Sequence, residues 1–174
     1  MRKALVIVDM QNDFVTGSLG TKEAQQIIPN ILKEMKSDEY EKIYVTQDTH
    51  YQNYLQTQEG KNLPVEHCIY QSKGWEIIPE IQEELQKTEL PVCYIEKPSF
   101  GTSQLSEMIC KDGFDEVVFV GVCTGICVIS NAILLKAADQ DVVVYVKADC
   151  CACVTPETHK AALTVMETCQ IHVI

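Results

Sequence analysis

The sequence predicts an α/β fold: an open, doubly wound, six-stranded parallel sheet in a three-layer α/β/α arrangement. Apolar, β-branched runs recur along the chain with amphipathic segments between them, the alternation that parallel strands joined by crossover helices produce. Most of these runs are apolar almost throughout, as strands covered on both faces must be. The 174 residues suit one domain, 1–174, with a core large enough to fold without staples, and they contain no internal repeat, low-complexity tract or linker.

The first strand is read in ALVIVDM, residues 4–10. Ala24, Ile27, Ile28, Ile31, Leu32 and Met35 then recur at helical spacing and form one apolar stripe. KIYVTQD (42–48) is the second strand, and the stretch 49–75 that follows lacks clear periodicity. Long irregular connections are uncommon in compact folds and tend to be functional. A helix over 76–87 leads to the strand VCYIEKP (92–98), and a helix over 102–111 starts at Thr102 or Ser103. EVVFVGV (116–122) runs into a helix over 125–138, and VVVYVKA (142–148) precedes a helix that Thr155 can cap, with Pro156 at its first position. QIHVI (170–174) is the last strand.

The formal charge of −11, with both signs interspersed, leaves no basic face for nucleic acid or anionic membrane, so a small molecule is the expected partner. No apolar run reaches membrane-spanning length, and MRKALVIVDMQNDF turns acidic before a leader pattern develops; the expected location is the cytosol. Thiols stay reduced there, and nine cysteines at irregular spacing argue against a disulfide framework.

Ligands of open α/β sheets bind outside the carboxyl ends of the strands. Asp9 ends the first strand, Asp48 the second with His50 just beyond, Glu96 and Lys97 the third, and the fourth delivers Cys123 and Cys127 into a helix start. Carboxylate, ammonium and thiol therefore meet at one edge. A thiol attacks a carbonyl only as thiolate, so it needs a base or a depressed pKa, part of which a helix N-terminus supplies. Asp9 suits the base and Lys97 the counter-charge. Asp48, His50 and His67 add a carboxylate and two imidazoles, a set suited to zinc, manganese or iron.

VDMQNDF (8–14), EKPSFG (96–101) and GVCTGICV (121–128), in this order and spacing, resemble the isochorismatase-like cysteine hydrolases, and specifically their metal-binding, nicotinamidase-type branch. The resemblance spans essentially the whole chain and implies the isochorismatase-like hydrolase fold. It implies a catalytic triad of Asp9, Lys97 and Cys127, and a cis peptide between Val122 and Cys123. The backbone N–H groups of Cys123 and Cys127 would form the oxyanion hole, and Phe14 would pack against the substrate ring. Asp48, His50 and His67 become ligands of a divalent metal, with zinc first and manganese or iron as alternatives, and Glu59 in the intervening loop joins them. The implied activity is cleavage of a small amide to acid and ammonia through a thioester, as in the conversion of nicotinamide to nicotinate. Other amide, carbamoyl or ureido substrates, isochorismatase chemistry on a vinyl ether, and a catalytically silent binding homologue are the alternatives. A homo-oligomer, dimer or tetramer, is the implied assembly.

Two positions depart from the family pattern: Gly125 stands where aspartate is common, and Leu63 where nicotinamidases commonly have tryptophan. Cys150, Cys151 and Cys153 are spaced too closely for zinc ligand pairs and read as small buried residues at a strand-to-helix corner. Cys93, Cys110 and Cys169 read as core, and His159 and His172 have no partner visible in sequence.

Overall fold

The computed structural model describes residues 1–174. Six parallel strands form one sheet in the order β3-β2-β1-β4-β5-β6, comprising β1 (Lys3–Val8), β2 (Lys42–Asp48), β3 (Val92–Lys97), β4 (Glu116–Val122), β5 (Val143–Ala152) and β6 (His172–Val173). The helices are α1 (Asn12–Val15), α2 (Lys22–Gln26), α3 (Ile28–Glu34), α4 (Gln58–Asn62), α5 (Pro79–Lys87), α6 (Ser103–Asp112), α7 (Ile129–Ala138) and α8 (Pro156–Thr168). Ala4, Val6 and Val8 of β1 point to the side carrying Leu105 of α6, Leu135 of α7 and Met166 of α8. Leu5 and Ile7 point to the other side, against Ile31 of α3 and Ile81 of α5. The period-two alternation of one strand thus feeds two separate apolar layers, which makes the expected three-layer, doubly wound sheet.

Three elements differ from the sequence reading. The stripe from Ala24 to Met35 is two helices, α2 and α3, because Pro29 lies in the first turn of α3 and its missing N–H and fixed φ favour a helix start there. The helix expected over 125–138 opens as a π-turn over Thr124–Val128, in which Val128 N–H donates to Cys123 C=O, before α7 begins. β5 runs on to Ala152, since its pairing with β4 shifts from Phe119↔Val146 to Gly121↔Cys151. That shift absorbs extra residues in β5 and brings the cysteine cluster level with the end of β4.

The chain runs outward from β1 through β2 to β3, then returns to β4 beside β1 and runs outward the other way. The crevice where strand order reverses therefore lies between the carboxyl ends of β1 and β4. Asp9 stands on one side of it and the turn holding Cys123 and Cys127 on the other.

Candidate active site

Asp9 is the first residue past β1, and its backbone is left-handed, with φ of 50°. Aspartate tolerates that region better than most residues, and here it turns the carboxylate into the crevice. Thr46 of β2 donates its hydroxyl to Asp9 Oδ1 at 2.6 Å. Asp9 Oδ2 lies 2.7 Å from Lys97 Nζ, yet no group satisfies it with hydrogen-bond geometry. Asp9 thus keeps an acceptor oxygen that no hydrogen bond uses, and its charge acts on the thiol of Cys127.

Lys97, the last residue of β3, is fully buried. Its ammonium donates to Ser99 C=O at 3.0 Å and to Cys127 Sγ at 3.6 Å, and lies 3.3 Å from Asp48 Oδ1. Burial disfavours this charge, but Asp9, the thiol of Cys127 and Asp48 outweigh it and raise the lysine pKa. One buried cation is shared by two carboxylates and a sulfur.

That sharing governs the protons. Burial raises the Asp9 carboxyl, with Lys97 opposing and Asp48 adding to the rise. Burial likewise pushes the Cys127 thiol well above its usual range, the Asp9 charge adding and the Lys97 charge subtracting. The helix-start position of Cys127 therefore does not produce a standing thiolate; the resting sulfur is a thiol beside its base.

The second cluster lies across Lys97. The ligating atoms of Asp48, His50, Glu59 and His67 all lie within 4.8 Å of one another, three of the residues buried and Glu59 half-buried. Asp48 Oδ2 is 3.0 Å from His50 Nε2 and 3.4 Å from His67 Nε2, and Glu59 Oε1 is 3.6 Å and 3.8 Å from the same nitrogens. His67 Nδ1 sits 2.8 Å from Val65 C=O, which leaves Nε2 facing the carboxylates. Two nitrogens and two carboxylate oxygens converging on one point, with the far nitrogen of one ring tied to a carbonyl, fit a divalent ion of the zinc, manganese or iron type. Burial raises the Asp48 carboxyl, but hydrogen bonds from His50 and His67 and the Lys97 charge outweigh it and hold it below the usual range. Burial and the Asp48 charge raise Glu59.

The stretch 49–75 holds this cluster together. A 3₁₀ turn, Tyr54–Gln56, is followed by α4, which presents Glu59, and the ring of Tyr54 packs 4.7 Å from that of His50 and 5.0 Å from that of His67. The apparent irregularity reflects short elements whose side chains face the metal donors, too brief to show a period. Gln11 holds Asp48 by its backbone, accepting from its N–H at 2.8 Å and donating to its C=O at 2.9 Å. Asp13 accepts from Cys68 N–H at 2.8 Å. Asn131 of α7 donates to Cys127 C=O at 2.8 Å and accepts from Thr102 N–H at 3.1 Å. Nothing in the sequence alone gives Thr46, Gln11, Asp13, Tyr54 or Asn131 a role. Gln11 and Asp13 lie inside the VDMQNDF stretch, which was the available signal.

A cavity of about 340 Å³ joins the two clusters, lined by Phe14, Leu63, Phe100 and Ile126 beside Cys127 and Asp48. Phe14 packs 5.5 Å from the His67 ring. Leu63 lines the cavity in person, while Trp75 turns away and donates Nε1–H to Thr49 Oγ1 at 2.9 Å. The peptide between Val122 and Cys123 is cis. All nine cysteines are free thiols; Cys150, Cys151 and Cys153 are buried as expected, whereas Cys169 is exposed and Cys93 and Cys110 are half-buried. Those three lie at element ends, where an apolar pattern no longer dictates burial. His159, without a visible partner in sequence, has one in the fold: its Nδ1 is 2.8 Å from Thr124 Oγ1.

Carboxylate, ammonium and thiol meet at the switch point of this doubly wound sheet, and the family model of the isochorismatase domain matches residues 3–174. The chain belongs to the isochorismatase family. The similar proteins include nicotinamidases and pyrazinamidases. The chain is 25% identical over 174 aligned positions to the nicotinamidase of Saccharomyces cerevisiae, with 75% of this chain and 80% of that protein covered. It is 26% identical to the pyrazinamidase of Pyrococcus horikoshii, solved in complex with zinc, at a TM-score of 0.79 with 100% of this chain and 99% of that one covered. The fold is also that of the N-carbamoylsarcosine amidase of Thermoplasma acidophilum, at 23% identity and a TM-score of 0.79, covering 99% of this chain and 95% of that one.

Proposed function

We propose that this protein hydrolyses a small, flat primary amide to its acid and ammonia through a thioester on Cys127, with nicotinamide as the first substrate to test. The observation that carries the reading is Lys97 in contact with both Asp9 and Cys127, with Cys127 on the wall of a cavity that Asp48, Glu59 and His67 also line. Zinc-bound pyrazinamidase and nicotinamidase among the similar proteins support it.

In this reading Asp9 takes the proton of Cys127 as the sulfur attacks the carbonyl carbon. Lys97 balances the negative charge as it moves from carboxylate to sulfur and substrate. The oxyanion rests on the backbone N–H groups of Cys123 and Cys127, and one such donor typically contributes about 100-fold or more in rate. Asp9 returns the proton to the departing ammonia, then accepts a proton from the water that releases the acid. Asp48, His50, Glu59 and His67 would hold a divalent ion, which when bound offers a Lewis-acid contact for a ring nitrogen of the substrate. Phe14, Leu63 and Phe100 form the apolar walls that favour a flat ring, and positioning of this kind supplies several kcal/mol of the barrier.

Ammonia release from zinc-loaded protein across a panel of nicotinamide, pyrazinamide, an N-carbamoyl amino acid and a ureido compound, with isochorismate consumption run alongside, tests the reading. Turnover of an aromatic amide that vanishes in Cys127→Ser is the expected result. Consumption of isochorismate without ammonia from any amide would overturn it.

A further inference from the structure

A second thiol pair lies against the reaction centre, and the amide chemistry makes no use of it. β4 and β5 run parallel with Gly121 opposite Cys151 and Val122 opposite Ala152, so the next residues, Cys123 and Cys153, leave the sheet side by side. Neighbouring strands stand about 4.8 Å apart, and disulfides span Cα separations of roughly 4.4–6.8 Å. The two thiols act on each other's ionisation, Cys153 raising Cys123 and Cys123 lowering Cys153.

Beyond Cys123, the hydroxyl of Thr158 and the backbone N–H groups of Gly125 and Val154 favour the ionised form of Cys153. A Cβ on Gly125 would stand 3.5 Å from that sulfur, an ordinary van der Waals contact, so the residue that departs from the family pattern packs directly against Cys153. With Cys123 contributing most, these donors lower the Cys153 thiol to about 5, while the same contact and burial raise Cys123. One sulfur is thus set as the nucleophile and its neighbour as the proton-bearing partner. Cys123 faces the substrate cavity, and Cys153 borders a groove on the outer side lined by Ile27 and His159, so a small solute has a route to each.

We propose that Cys123 and Cys153 form a peroxide-responsive thiol pair, with Cys153 oxidised first and Cys123 resolving it into a disulfide across the β4–β5 edge. The oxidant is hydrogen peroxide. The Cys153 sulfur attacks one of its oxygens, an S–O bond forms and the O–O bond breaks, and the hydroxide takes up the proton given up by the Cys153 thiol and leaves as water. The Cys123 sulfur then attacks the resulting sulfenic sulfur; an S–S bond forms, the S–O bond breaks, and the hydroxyl leaves as a second water with the Cys123 proton. Two thiols give up two electrons and one peroxide is reduced. The bond ties down the residue whose backbone N–H is proposed to hold the oxyanion, so closing it acts on the hydrolytic site.

Non-reducing peptide mapping of the full chain, after hydrogen peroxide and alkylation of the remaining thiols, tests the pairing. Fragment ions are expected to join Cys123 to Cys153, and a dithiol to reverse the link. Cys153→Ser is expected to abolish the link and leave Cys123 open to alkylation, and Cys123→Ser to leave a sulfenic acid on Cys153 that dimedone traps. Before oxidation, Cys153 is expected to react with iodoacetamide at pH 6 at least about tenfold faster than Cys150. Links from Cys123 to Cys127, links within Cys150 and Cys151, or no link at all would overturn the pairing. If a serine variant fails to fold, the wild-type map still decides. The map needs no substrate, so failure of the amide panel leaves it intact; where the panel succeeds, the oxidised form is expected to be at least about tenfold slower, with rate restored by the dithiol.

Discussion

Lys97 has one charge, and Asp9, Asp48 and Cys127 all lie within reach of it. Replacing it by methionine keeps much of the volume but leaves two buried carboxylates without a cation, and breaking a buried pair costs about 3–5 kcal/mol. Lys97→Met is therefore expected to lose ammonia release and to melt roughly 6–20 °C lower, read by calorimetry. Cys127→Ser keeps the shape and removes only the sulfur, so its melting temperature is expected to stay close to the parent's while turnover falls on the order of 10⁴-fold or more. The contrast separates a charge that organises the site from an atom that reacts. At this scale the motifs placed Asp9, Lys97 and Cys127 correctly at one edge, because strand ends are visible in sequence. Their protonation was not legible, since the rise of the Cys127 thiol comes from burial and from Asp9, supplied by another strand.

At the end of β4 and in the turn before α7, the glycines at 121 and 125 face opposite constraints. Gly121 has φ of +115°, and a Cβ there would stand 2.2 Å from Val8 C=O, so neither the backbone nor the neighbouring strand has room. Gly121→Ala is expected to destabilise by more than about 3 kcal/mol, measured by urea unfolding. A Cβ on Gly125 meets Ala162 at 3.3 Å and Cys153 at 3.5 Å, contacts that small shifts relieve, and alanine gains helix propensity. Gly125→Ala is expected to change stability by less than about 1 kcal/mol. Asn131 joins this element to the loop after β3, and Asn131→Ala leaves Cys127 C=O and Thr102 N–H unpaired, an expected loss of about 1–3 kcal/mol. The strands were legible because burial on both faces writes an apolar run into each. The extension of β5 was not, because a register shift is a property of the pair, and residues 147–150 carry no local mark of it.

For the molecule as a whole, the metal donors join β2 to the stretch 49–75, so an ion bound there stabilises the folded chain by linkage. At a hundredfold excess over the dissociation constant the gain is about 2.7 kcal/mol, or roughly 5–10 °C in melting temperature. Zinc is expected to raise the melting temperature of the wild type by that much, a chelator to reverse it, and a His50→Ala, His67→Ala variant to show neither shift. No helix is long and apolar enough to cross a membrane. By itself the sequence determined the layered α/β fold, through strands apolar on both faces, and it placed the candidate site residues, Glu59 among them, through motifs at strand ends and a resemblance spanning the chain. Only the tertiary structure decided that Asp9 and Cys127 meet one buried lysine, that Glu59 closes on the histidines, and that Cys153 lies beside Cys123. Periodicity records which face of an element is buried, a local property, whereas proton positions and cross-strand contacts depend on groups that come close only when distant strands pair.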